Sequence, residues 1–193
     1  MNASSSESSA ETTDPLSREL VQSVVDTARA LFGAAASSVF LLDRERHELV
    51  FEAVSGQGEN HLVGRRFPAE SGIAGWVAMS GEPMIVDDLT GSTAFDRDFA
   101  ESTAYVPDAL MAAPLTHGDL VLGVLEVLDP APQSRSDLGE LDLLALFARQ
   151  AAVALRVVVD RRHQSAGSRS RADDRAAALR MAEDLRRLLE ASQ

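Results

Sequence analysis

At 193 residues and 45% apolar content the chain is long enough for one domain with a real core, yet it contains no Cys and no Lys, all 18 basic residues being Arg. Those absences exclude disulfides, thiolate metal and iron–sulfur sites, thiol nucleophiles and thioether-linked chromophores, together with Schiff-base and P-loop-lysine chemistry. The net charge of −12 is uneven: residues 161–193 set eight arginines against five carboxylates, which leaves −15 on residues 1–160, a surface that repels nucleic-acid phosphates and anionic membranes.

Residues 1–13, rich in Ser, Glu and Thr, have nothing to bury and read as a disordered tail without the basic start or apolar run of a secretory signal. Nowhere does an apolar stretch reach the ~18 residues of a membrane helix, so a cytoplasmic location is expected. Asp14-Pro15 supplies a helix cap and a first-turn proline. From there Leu16, Leu20, Val21, Val24, Val25, Ala28, Leu31 and Phe32 repeat at spacings of three and four, predicting an amphipathic helix that ends at Gly33.

SSVFLLD and HELVFEAV then read as two strands joined by a polar turn at Arg44-Glu45-Arg46, and GQGENHLVGRRFP as an exposed loop. A short helix is expected over Gly72–Ser80 with Ser71 as its N-cap and Gly81 and Pro83 as its stop, followed by the short strand MIVDD. Residues 89–108 are polar with aromatics spaced through them. DALMAAPLTHGDLVLGVLEVLD gives two long apolar strands around a turn at Thr116–Asp119. A closing helix starts at Ser136, with Leu141, Leu144, Phe147, Ala148, Ala151, Leu155 and Val158 on one stripe. After Asp160 come a polar hinge and a thin basic helix. The domains expected are a tail at 1–13, the main domain at 14–160, and a hinge with helix at 161–193. Hairpins do not arise from parallel βαβ units, so the sheet is antiparallel and the class α+β.

The glycines of ESGIAGW raise the question of a phosphate loop. A dinucleotide fingerprint needs a third glycine, a strand directly before it and a full crossover helix after it. Glu70 puts a carboxylate where pyrophosphate would approach, and the helix stops after about nine residues. The reading that stands is a tight helix entrance, with Gly72 and Gly75 permitting close approach to the sheet and Trp76 and Val77 starting the packing.

The same stretch, ESGIAGWVAMSGEPMIVDD, resembles the middle of GAF domains: a small-residue helix start, Trp-Val, Gly-Glu-Pro, a short strand and an acidic turn. FDRDFAESTAYVPDALMAAPL is similar to their variable segment and Pro-Leu strand, VLGVLEVLD to their last strand, and LDLLALFARQAAVAL to their closing helix. The resemblance spans about residues 15–160. It implies a six-stranded antiparallel sheet of GAF/PAS-like type, with the N- and C-terminal helices packed on one face and a small-molecule pocket on the other, under residues 87–108. The pocket residues it implies are Met84, Val86, Asp88, Phe95, Phe99, Tyr105, Leu110 and Met111.

Several chemistries of that family do not fit these residues. Cyclic-nucleotide binding through a signature with Asn-Lys fails for want of Lys, and bilin attachment and free methionine sulfoxide reduction fail for want of Cys. His47, His61, His117 and His163 sit at strand starts, loops, turns or the hinge, where nothing apolar would shield a haem. His47-Glu48 lacks the second His of a zinc-protease helix, because Phe51 stands in its place. Asp87 and Asp88, adjacent on a strand, would face opposite sides and form no acid/base pair. Ser71 has no nucleophile-elbow setting. The expectation is therefore no enzyme, no cofactor and no metal. Two functions remain: a cytoplasmic sensor that binds a small molecule and signals through a partner protein or a homodimer of its terminal helices, or a dimerisation and docking module whose pocket is filled by its own side chains.

Overall fold

The computed structural model describes residues 15–57, 62–90, 105–131 and 139–156, together with Asp160. The chain divides at Arg156 into two compact units, and every element below lies in the first, Met1–Arg156. In chain order these are α1 (Pro15–Phe32), β1 (Ala36–Asp43), β2 (Glu48–Gly56), β3 (Arg66–Pro68), α2 (Gly72–Ser80), β4 (Met84–Val86), β5 (Leu110–His117), β6 (Leu120–Leu128) and α3 over 140–156. The six strands form one sheet in the order β3-β2-β1-β6-β5-β4, and every neighbouring pair is antiparallel. The expected α+β architecture is the one observed.

The period of each apolar pattern decides which face it covers. Val21, Val24, Val25, Ala28 and Phe32 form the buried stripe of α1, which lies against β2, β1 and β6. In α3 the buried stripe is Leu144, Ala148, Ala151, Ala152 and Leu155. Helix α1 lies on the back of the sheet, where Val39, Leu125, Val127, Met111, Ala113 and Leu115 are fully buried. Each of the Val, Leu and Met side chains among them contributes about 1.5–3 kcal/mol of transfer free energy, so the back face carries a large part of the stability.

On the front face α2 packs over β5 and β6. Ile73, Ala74, Val77 and Ala78 join Phe40, Leu49, Phe51, Leu110, Ala112 and Val124 in a second apolar cluster, with Leu89 and Leu62 at its margin. One end of this cluster is aromatic: the rings of Phe40, Phe51 and Phe67 meet at centroid distances of 4.4, 5.4 and 5.7 Å. Tilted and edge-on contacts of this kind add about 0.5–1.5 kcal/mol per pair beyond the area buried.

Three expectations need correction. Part of the loop GQGENHLVGRRFP is the edge strand β3, which pairs Arg66, Phe67 and Pro68 with Val50, Leu49 and Glu48. Three residues are too few to show an alternating pattern, and β3 is held instead by the Phe67 ring and by Arg66, which bonds Asp43 at 2.8 Å and Glu48 at 3.1 Å. Burial pulls the Asp43 carboxyl up, but the Arg66 hydrogen bond, the Arg46 amide and the arginine charges outweigh it and hold the group below its usual range. Second, Trp76 does not start the packing of α2: it is 46% exposed while Val77 is fully buried. Third, Gly75 approaches the preceding turn rather than the sheet, since a Cβ there would lie 2.4 Å from the carbonyl carbon of Glu70. Gly81 does end the helix as expected, in the left-handed conformation with its N–H on the Val77 carbonyl.

Candidate ligand-binding face

Register fixes which side chains share the front face. Cross-strand partners point to the same side, so Val54, Ser38, Glu126, Ala112 and Met84 form one row across β2, β1, β6, β5 and β4. Beside it run the rows Phe51–Phe40–Val124–Pro114 and Leu128–Leu110–Val86. Pro114 is tolerated in β5 because β4 stops at the Met84–Ala112 pair, leaving no strand on that side to want its missing N–H.

Glu126 is the unexpected member. It sits in the middle of the sheet between Ser38 and Ala112, two of the smallest residues on this face. Its strand neighbours Val124, Leu125 and Val127 are fully buried. Glu126 itself is half-buried, while Ser38, Ala112 and Val54 in its row are buried. Among the described residues no hydrogen bond or ion pair reaches its carboxylate. Burial alone pushes its pKa up to about 7. Sequence reading missed it, although a lone acid inside the apolar run VLGVLEVLD was the available signal.

The segment 87–108 is tied down at its base. The Leu89 N–H donates to the Asp108 carbonyl at 2.8 Å, which brings the two ends together. Asp129, just past β6 with φ of 48°, gathers the second end: its Oδ1 accepts the N–H groups of Asp108 and Ala109, each at 2.9 Å, and its Oδ2 accepts the Tyr105 hydroxyl. Burial, and then the Asp129 bond and charge, push the Tyr105 hydroxyl well above the ordinary tyrosine range. It stays a proton donor.

The residues expected in the pocket therefore divide. Leu110 is buried in the front cluster, and Met84 and Val86 pack against it while partly open. Tyr105 stands near the end of the segment 87–108, its hydroxyl engaged by Asp129. Asp88 is exposed and turned to its own chain, accepting the Thr90 hydroxyl and, at 2.8 Å, the Thr90 N–H. Those two bonds hold its pKa below the usual carboxylate value, and Leu89 beside it is the residue that enters the cluster. Met111 is a correction: it follows Leu110 in β5, so alternation turns it to the back face, where it is fully buried. Phe95 and Phe99 lie outside the described residues.

An open groove of about 510 Å³ lies elsewhere, between the last turns of α1 and the end of β2, lined by Asp26, Arg29, Ala30, Gly33, Ala34 and Ser55. Arg29 already reaches the Ser55 hydroxyl there at 3.5 Å. Among the described residues no three His or acidic side chains stand together as a metal site, and no helix is long and apolar enough to cross a membrane.

Comparison with known proteins agrees with this geometry. The GAF domain family model matches residues 17–155. A curated relative, the probable 3',5'-cyclic phosphodiesterase pde-5 of Caenorhabditis elegans, is 26% identical over 115 residues, which cover 55% of this chain and 16% of that protein. Among solved structures, the GAF domain of a phosphoenolpyruvate-protein phosphotransferase from Coxiella burnetii aligns with a TM-score of 0.64 at 18% identity, over 80% of this chain and 88% of that one. The second GAF domain of DevS from Mycobacterium smegmatis aligns with a TM-score of 0.59 at 22% identity, over 77% and 99%. At these identities the structures bear on fold alone. The match to pde-5 spans about a sixth of that protein's length.

Proposed function

Because the chain belongs to the GAF domain family, we propose that it is a cytoplasmic sensory domain which binds a small molecule on the front of its sheet, beneath residues 87–108, and passes occupancy to a partner or to a second copy. The observation that carries this reading is the contrast between the centre of the back face, where Val39, Leu125, Val127 and Met111 are fully buried, and the centre of the front face, which keeps a half-buried acidic residue, Glu126, among small neighbours. Met84, Val86 and Leu110 form its apolar border on the β4–β5 side. We assign the domain no catalysis: without Cys, thiol redox chemistry of the sulfoxide-reductase kind has no nucleophile.

A thermal-shift screen of nucleotides, haem and amphipathic metabolites tests the proposal. A true ligand at ~100 times its dissociation constant adds about 2.7 kcal/mol and raises the midpoint. A screen without any shift would count against ligand sensing.

A second reading, a dimerisation module, is favoured by one observation. Leu146 and Val153 on α3 are 52% and 60% exposed and lie seven residues apart, hence on one side of the helix. Leu16 and Leu31 of α1 are exposed as well. Apolar residues left in water on both terminal helices suit a contact between copies. Light scattering across a dilution series distinguishes a concentration-dependent dimer from a monomer, and the two readings are compatible if occupancy alters helix packing.

A further inference from the structure

We infer that the front face is built for a small amphipathic amine, whose ammonium group is held by the Glu126 carboxylate with the Ser38 hydroxyl as a second acceptor. This rests on the reading of the front face as a ligand site and adds the chemical class of the ligand.

Four observations converge on it. Glu126 stands in the central row of the sheet, flanked by Ser38 and Ala112, so the volume above its carboxylate is not claimed by a larger side chain on either adjoining strand. Among the described residues Glu126 has no hydrogen-bond partner, although the chain carries 18 arginines, and Ser38 beside it brings a hydroxyl to the same row. Among the described residues, the elements packed around Glu126 offer no charge to answer it. Helix α2 has no ionisable residue, and β1 and β5 carry theirs, Asp43 and His117, at their far ends. A carboxylate enclosed this way is destabilised until a cation or a proton meets it, and its raised pKa expresses that frustration. Last, Phe40 lies two residues along β1 on the same face, at the head of the Phe51 and Phe67 rings, so apolar surface adjoins the charge on one side and Met84 and Leu110 adjoin it on the other.

The chemistry selects among ligand classes. An anion is repelled by Glu126 and by the −15 carried on residues 1–160. A neutral molecule leaves the carboxylate unpaired. A primary amine offers three N–H donors to two acceptors and pairs charge in an enclosed site, where the interaction is less screened than at a surface.

The test uses the full chain and two matched series: 2-phenylethylamine, 2-phenylethanol and 3-phenylpropionate, and hexylamine, hexanol and hexanoate. Each is titrated by NMR against wild type, Glu126→Gln and Ser38→Ala. The expected result is that the amines bind wild type at least tenfold more tightly than the alcohols, that the carboxylates do not bind, and that Glu126→Gln erases the amine preference while alcohol binding persists. Ser38→Ala should weaken the amines by a smaller factor. Alcohols and amines of equal affinity, or an amine preference that survives Glu126→Gln, would overturn the inference and leave the ligand site standing. If no compound binds any of the three proteins and the metabolite screen is also empty, both fall.

Discussion

The two faces of one sheet are made from the same strands, alternating residue by residue, and yet they obey different rules. Behind the sheet Leu125, Val127, Met111, Ala113 and Leu115 are fully buried, and the polar residues Ser37 and Ser55 pair at one end, Ser37 Oγ without a hydrogen-bond partner. In front, one strand position further on, Glu126 stands where an apolar residue would be expected, and no partner among the described residues compensates it. A fold that needed the front only for stability would gain by putting Leu there, since an unpaired buried charge is among the most costly features a core can hold. The difference separates what the sheet uses to stay folded from what it keeps for a guest.

The largest expected effect comes from the sealed side. Leu125→Ala should cost about 2–5 kcal/mol in urea denaturation, because the back face cannot collapse around the cavity. A cost under ~1 kcal/mol would mean that this face is not the dry core described. Next is the base of the flap: Asp129→Ala removes the acceptor of Tyr105, Asp108 and Ala109 at a left-handed position, which predicts a loss of roughly 2 kcal/mol. Hydrogen exchange at the Asp108 and Ala109 amides should accelerate with it, and unchanged protection would refute the clamp.

Glu126→Gln should act in the opposite direction. The folded pKa of about 7 stands above the ordinary glutamate value of 4.5, so the folded state binds the extra proton between those values. The contribution of this group is most favourable below the unfolded pKa and is lost as pH rises through about 7. At pH 8 the Gln variant should thus be more stable by about 1–2 kcal/mol, and the gain should vanish near pH 4, as paired thermal melts across pH would reveal. The smallest effect belongs to the exposed Arg66 pair with Asp43 and Glu48. Arg66→Ala should cost under ~1 kcal/mol, and less still in high salt, because these charges lie at the surface.

Much of this fold was legible in sequence because its signals are periodic. Val21, Val24, Val25 and Ala28 at helical spacing, the alternating β2, and the Gly118-Asp119 turn between β5 and β6 each state their own conformation locally. β3 was not legible, since three residues hold no period and the strand depends on a salt bridge and a ring from elsewhere. The candidate site was legible only in part. Met84, Val86 and Leu110 lie on the front face with Glu126, whereas Met111, next to Leu110 in the strand, alternates to the back. Polar and aromatic residues cluster around Asp88 and Tyr105, which suggests ligand contacts, whereas their hydrogen bonds go to Thr90 and Asp129 of the chain itself. Glu126 requires knowing which residues stand beside it on β1 and β5, and register is a property of the folded sheet.

The comparison of the two faces can be read at two methyl groups. Met84 borders the front cluster, and Met111 is sealed in the back. With methionine methyls labelled in carbon-13, titration with 2-phenylethylamine should shift the Met84 signal and leave that of Met111 in place. A Met84 signal that stays still, or a Met111 signal that moves in its stead, would contradict a ligand site on the front of the sheet.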